Sequence, residues 1–186
     1  VPKGEKATKE EIVKVFLYVL LFRIGIYIVG VVISMMFSEE IGFTFSDFLS
    51  SWNRWDSQHY IDLASKGYAD CVENGQHLFL VFFPLCPWLL KIIHFIIRDW
   101  QFAFIMLSTI AYCVGAVFFY ICISEEYGKK TAQRALTLVS VWPFAFFFGG
   151  MMTESLFFAT LSIGFYFIKK HNWFAVGLTG LFCSLC

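Results

Sequence analysis

The sequence predicts an all-α fold: a multi-pass transmembrane helical bundle with two amphipathic surface helices in a long first exoplasmic loop. Three observations predict it. The composition is 59% hydrophobic and 20% aromatic against 15% charged, an apolar balance that soluble domains rarely reach. Uncharged runs recur at about the 20-residue length that a helix needs to cross a bilayer. Charge is also segregated along the chain. Lysines cluster in the N-terminal tail VPKGEKATKEEIVK, in YGKKTAQR (127–134) and in KKH (169–171), whereas 38–101 is acid-rich, with Glu39, Glu40, Asp47, Asp56, Asp62, Asp70, Glu73 and Asp99. Under the positive-inside rule the lysine clusters face the cytoplasm and the acid-rich section lies outside. A net formal charge of zero supplies no long-range attraction to nucleic acid, and that partner class is set aside.

The elements follow in order. The run 12–37 is long enough to span, lacks a small-residue cleavage site and exceeds a signal-peptide core, so it reads as an uncleaved span. The exoplasmic loop 38–101 carries surface helices over 45–66 and 84–98. The segment HLFLVFFPLCPWLLKIIHFIIR (77–98) is also long enough to cross, but crossing would move YGKK to the wrong side. From Pro84 its polar and proline positions 84, 87, 91, 94 and 98 form one stripe at helical spacing, which describes a helix lying in the interface. A span over 102–123 returns the chain inside. Residues 135–168, with lysines at both ends, would measure about 51 Å as one helix and so must be two spans, 134–150 and 152–168, turning at GGMMTES (149–155). An incomplete span starts at 173. Because its apolar run is still continuing at Cys186, residues 1–186 read as one truncated transmembrane domain, the N-terminal fragment of a longer protein. There is no internal repeat, linker or low-complexity segment.

The six cysteines are scattered, mostly in apolar runs where they act as small hydrophobes, and imply no disulfide framework. A Cys71–Cys86 pairing stays open. The terminal CSLC has metal-like spacing but no second ligand pair.

The stretch WNRWDSQHYIDLASKGY (52–68) is where charge sits among aromatic rings. Taken as one helix over 45–64, with Ser46 able to cap it and Gly67 to stop it, it places Asp56 among Phe45, Leu49, Trp52, Tyr60 and Leu63, at the centre of the apolar face. A lone acid there is desolvated at a cost unless a cavity, base or donor meets it; His59 is one neighbour. The alternative is a break near Arg54, with Asp56 capping a new helix from Ser57. Arg23, inside the first span, either snorkels to the cytoplasm about 13 Å away or faces an internal polar cavity. Glu154 either complements a helix dipole or points into the same cavity as Asp56. Lys91, His94 and Arg98 either anchor to headgroups or bind the phosphate of a lipid-linked substrate.

RWDSQHYIDLASKGY, FLVFFPLCPWLLKII and VWPFAFFFGGMMTESLFFA, in that order, resemble the PIG-V family of membrane mannosyltransferases and their bacterial relatives. That family shows a W-D-x-x-H/Y-F/Y-x-x-I/L-A-x-x-G-Y run, then F-F-P-x-x-P, then a proline and an aromatic run ending in S/T-E-S/A-L-F. The resemblance covers roughly 10–186. It implies a GT-C type, inverting glycosyltransferase that takes a sugar from a polyprenyl-phosphate carrier on the exoplasmic or lumenal side; no DxD or His-rich ligand set argues for a metal, and no cofactor is expected. In the family's eukaryotic members the donor is dolichyl-phosphate-mannose, and mannose is added to the glycosylphosphatidylinositol anchor. By motif match Asp56 corresponds to the first-loop acid acting as base; His59, Tyr60, Gly67 and Tyr68 match the rest of that run, Phe83 and Pro84 the second block, and Glu154 the third. TES stands where SES is commoner. The catalytic set is then Asp56, His59 and Glu154. Arg54, Lys91, His94 or Arg98 would stabilise the leaving phosphate, and Trp55, Tyr60, Tyr68 and Phe83 would contact substrate. The expected partners are a lipid-linked sugar donor, a glycolipid or glycan acceptor and membrane lipids. The expected location is a bacterial plasma membrane or the endoplasmic reticulum. Two rival classes remain: a non-catalytic membrane subunit that holds a partner through its aromatic surface helices, and a small transporter with Arg23 and Glu154 along its pathway.

Overall fold

A computed structural model describes residues 4–37, 43–72, 75 and 78–186. Glu39, Glu40 and Glu73 of the acid-rich section lie outside the described residues. Helix is the only regular structure among the described residues: α1 (Lys9–Phe37), α2 (Phe45–Trp52), α3 (Ser57–Lys66), α4 (Leu85–Ile97), α5 (Trp100–Tyr127), α6 (Lys129–Val141), α7 (Glu154–Lys169) and α8 (Trp173–Ser184), with 3₁₀ turns at Leu78–Val81 and Pro143–Phe148.

The fold is organised around α5, which packs against α1, α4, α6 and α7, with α8 on the outer side of α7. The N-terminal half of α5 buries Ala103, Phe104 and Leu107 with Leu49, Tyr60, Ile61, Cys86, Leu90 and Leu156. Its C-terminal half buries Tyr112, Cys113, Ala116 and Tyr120 with Val15 and Val19 of α1 and Ala132 and Leu136 of α6. The α5–α7 crossing is close because Gly115 has no side chain: a β-carbon there would lie 2.8 Å from the Phe158 ring and 2.9 Å from the Ala159 Cα. Small residues let helix backbones approach where packing, not water, drives association. Gly115→Ala is expected to destabilise the protein by about 1–3 kcal/mol through overpacking. Thermal unfolding in detergent checks this; an unchanged midpoint would mean that the two backbones have room to spare.

Two helices, Lys9–Phe37 and Trp100–Tyr127, are long and apolar enough to cross a membrane. On α1 only Val15, Val19 and Arg23 are buried, while Leu21, Ile24, Ile28, Val32 and Met36 stay exposed, a large apolar surface suited to lipid. The predicted span over 134–150 takes another form. α6 begins earlier, is 13 residues long and ends at Val141, giving about 20 Å against the roughly 30 Å of a hydrocarbon core. Pro143 is the reason: it has no N–H to give and forces the preceding residue to extend, and Trp142 has ψ 137°. The chain then makes the 3₁₀ turn Pro143–Phe148 before α7 starts at Glu154, so a non-helical turn does occupy the first part of GGMMTES.

The first predicted surface helix is two helices. Thr44, not Ser46, caps α2, in a reciprocal box with Asp47 that the TFSD spelling allows. α2 stops at Trp52, and α3 begins at Ser57 after Trp55 takes φ 51°. The predicted 84–98 helix corresponds to α4, which starts after Pro84 and ends with Arg98 in the left-handed conformation. The three lysine clusters gather at one end of the bundle. Lys129 pairs with Glu11 at 2.8 Å and Glu5 at 3.6 Å, Lys169 with Glu126 at 2.8 Å, and Lys170 with Glu125 at 3.0 Å. All six cysteines are free thiols, so Cys71 and Cys86 are each buried and unbonded.

Candidate functional site

At the other end of the bundle, the N-termini of α3 and α7 meet. Asp56 occupies the capping position of α3 but its carboxylate makes no capping bond; the turn is closed instead by Ser57, whose Oγ donates to the Arg54 carbonyl and accepts from the Arg54 N–H at 3.3 Å. The break in the helix swings Asp56 off the apolar face on which a continuous helix would place it. Asp56 is exposed, so the expected desolvated acid is corrected to an open, uncommitted one.

Tyr60, one turn further, is buried against Phe82 and Phe104. Burial pushes its phenol up to about 12; the Thr153 hydroxyl opposes this, and the charges of Cys86, Asp56 and Glu154 add to it. Asp56 and Glu154 therefore both act on one phenol, and they lie within electrostatic reach of each other. Glu154 opens α7, where the helix dipole favours an acid, and its Oε2 is enclosed without a hydrogen-bond partner, as is the neighbouring Ser155 Oγ. Thr153 gives α7 no side-chain cap, so Glu154 and Ser155 bring enclosed polar atoms to this corner that the fold itself does not use.

Beside this corner lies a cavity of about 290 Å³, lined among others by Gly30, Trp52, Arg54, Trp55, Phe146 and Phe147. Trp55 and Ser57, the two neighbours of Asp56, both line it. The Trp55 ring packs on Phe146 and Phe147 at 5.9 and 5.5 Å, which helps to hold the positive φ that a bulky residue adopts at a cost of about 1–3 kcal/mol. The Trp52 indole N–H is buried there without an acceptor. Of the four cations that the sequence leaves open for a phosphate, Arg54 is the one on this cavity.

The remaining candidates point elsewhere. His59 packs edge to face with Phe79 at 5.0 Å and at a tilt on Phe82 at 5.3 Å. Tyr68 donates its hydroxyl to the Phe82 carbonyl, which fixes the loop carrying the half-exposed Phe83. On α4, Lys91 is exposed, His94 stacks on Trp100 at 3.6 Å and Arg98 lies over the Phe95 ring at 5.2 Å; none of these contacts joins them to Asp56, Tyr60 or Glu154.

Arg23 is fully buried, which excludes snorkelling. Its two terminal nitrogens each donate to the Ala145 carbonyl at 3.1 Å, and its carbon lies 4.7 Å from the centre of the Tyr112 ring. Four residues on, the Tyr27 hydroxyl donates to the Gly149 carbonyl at 2.9 Å and meets Thr109 Oγ at 2.8 Å. Gly149 is closely packed at this crossing: a β-carbon would sit 2.7 Å from an Arg23 nitrogen, so a larger residue would shift the guanidinium. Together Arg23 and Tyr27 clasp the non-helical segment that carries Phe146 and Phe147 to the cavity. Sequence reading flagged Arg23 but missed its partners, because backbone carbonyls in and just after a 3₁₀ turn have no residue-level signature. It also missed Ser155 and the Phe146–Phe147 wall.

Comparison of the chain with known protein families, with curated proteins and with solved structures found no match in any of the three.

Proposed function

We propose that the protein is a membrane-embedded inverting glycosyltransferase resembling the PIG-V type, using a polyprenyl-phosphate-linked sugar, with Asp56 as general base. The observation that carries this reading is the uncommitted Asp56 carboxylate next to a second acid, Glu154, whose enclosed oxygen has no partner, at the rim of an aromatic cavity holding one arginine. Asp56 takes the proton of an acceptor hydroxyl as that oxygen bonds to the anomeric carbon from the face opposite the phosphate. The sugar–phosphate bond breaks as this one forms, and polyprenyl phosphate leaves with the bonding pair. Arg54 offsets the charge developing on the phosphate, and Trp55 with Phe146 and Phe147 offers apolar faces to the sugar. With Asp56 exposed, its advantage as a base comes from position rather than from removal of water, and a bound acceptor supplies the cover.

The test is transfer of labelled mannose from a synthetic polyprenyl-phosphate donor into the glycolipid fraction of membranes carrying the protein. Label appearing there, and not in membranes lacking the protein, is expected. No transfer from either mannosyl or glucosyl donors would sink the proposal. The exposure of Trp55 at 67% favours a second reading, a non-catalytic subunit that holds a partner. On that reading Trp55→Ala releases a co-purifying protein and Asp56→Asn does nothing.

A further inference from the structure

At the lysine-rich end of the bundle, α6 begins where its own electrostatics disfavour it. Lys129 and Lys130 open the helix, the residue before it, Gly128, supplies no side-chain cap, and its first turn contains no acid, so two cations face the positive end of a helix dipole. Lys129 is relieved by Glu11 and Glu5. Lys130 is not, nor is Arg134 one turn on: among the described residues neither has an acid within ion-pair distance.

The two unrelieved cations lie on one ridge. Ala132, Leu136 and Ser140 turn inward, with Ser140 bonded to the Tyr112 hydroxyl at 2.9 Å. Lys130, Arg134 and Leu138, spaced i, i+4, i+8, turn outward and lie with Gln133 and Thr137 along one open face of α6. Beyond them Leu138, Val141 and Trp142 are exposed at 67%, 54% and 61%. Over about 12 Å of helix the ridge carries a cation, an amide, a second cation and a hydroxyl before it turns to bare hydrocarbon. A free anion matches only the first half of that sequence. A molecule with an anionic head and an apolar tail matches all of it.

We propose that the outer face of α6 is a binding site for an anionic phospholipid, with its phosphate between Lys130 and Arg134 and its acyl chain along Leu138 and Val141. The bound phosphate supplies the negative charge that the start of α6 lacks. The site rests on the chain being embedded in a bilayer and is independent of the transfer reaction, since it lies at the opposite end of the bundle from Asp56.

Native mass spectrometry of the detergent-solubilised protein, titrated with equal amounts of phosphatidylglycerol and phosphatidylcholine, tests it. One basic residue near an anionic surface is worth roughly fivefold in affinity, so the pair gives about 25-fold. Phosphatidylglycerol adducts are expected to dominate, to fall by about that factor in Lys130→Gln/Arg134→Gln, and to survive in Lys6→Gln/Lys9→Gln, which removes two cations of the same end that lie outside the α6 face. Excess inorganic phosphate is expected to leave the lipid in place. Equal losses in the two double variants would reduce the preference to diffuse charge, and displacement by inorganic phosphate would make the site a simple anion site. Either outcome overturns the proposal. So does retention of both lipids without preference, which would leave the apolar belt of the protein intact and remove only the site.

Discussion

Asp56→Asn is expected to leave the protein folded and to lower sugar transfer by about 10²- to 10⁴-fold, the usual contribution of a positioned general base. Asparagine has the same shape and lacks only the basic oxygen. The fold has nothing to lose, because the Asp56 side chain makes no capping bond and is exposed. This separates the catalytic reading from a structural one. A capping aspartate replaced by alanine costs about 1 kcal/mol, so Asp56→Ala is expected to unfold at the wild-type midpoint while being as inactive as Asp56→Asn. Transfer retained in Asp56→Asn would falsify the assignment of the base; a lower midpoint in Asp56→Ala would return the residue to helix capping.

Arg23→Ala is expected to be the most destabilising single change in the protein, by about 3–5 kcal/mol. Truncating a long, fully enclosed side chain leaves a cavity, strips the Ala145 carbonyl of two charged donors and exposes one face of the Tyr112 ring. A hydrogen bond from a charged donor contributes about 1.5–3 kcal/mol. Arg23→Met separates the causes: it keeps most of the volume, removes a cation that is expensive to enclose and still loses the hydrogen bonds, so about 1–2 kcal/mol is expected. Arg23→Lys keeps the charge but not the planar fork that serves one carbonyl with two nitrogens while lying over a ring. Chemical denaturation in detergent micelles measures all three. An Arg23→Ala protein as stable as wild type would show that the clasp on the Ala145–Gly149 segment contributes nothing.

The sequence carried the helical class through composition and the position of α4 through its stripe of prolines and polar residues. It carried the break between α2 and α3 only as an alternative, since Asp56 and Ser57 spell a helix start as readily as a helix interior. Reading side chains at 100° through Asn53–Asp56 assumes a continuity that Trp55 interrupts with its positive φ, and the burial expected for Asp56 was lost with that continuity. The span over 134–150 failed for a comparable reason: hydrophobicity counts Trp142 and Pro143 as apolar, whereas backbone chemistry makes them a stop. Candidate residues could be named from the sequence where a residue's chemistry is its own, as at Asp56, Tyr60 and Glu154. The site was illegible where backbone atoms act, as at the Ala145 and Gly149 carbonyls.

The clasp also bears on how the chain is made. Arg23 and its acceptor are 122 residues apart, so a ribosome adding about 5–20 residues per second emits the guanidinium roughly 6–24 s before the carbonyls that receive it. During that interval the first hydrophobic helix carries a cation whose enclosing partner in the folded chain does not yet exist, so the clasp closes only after most of the described helices have been made.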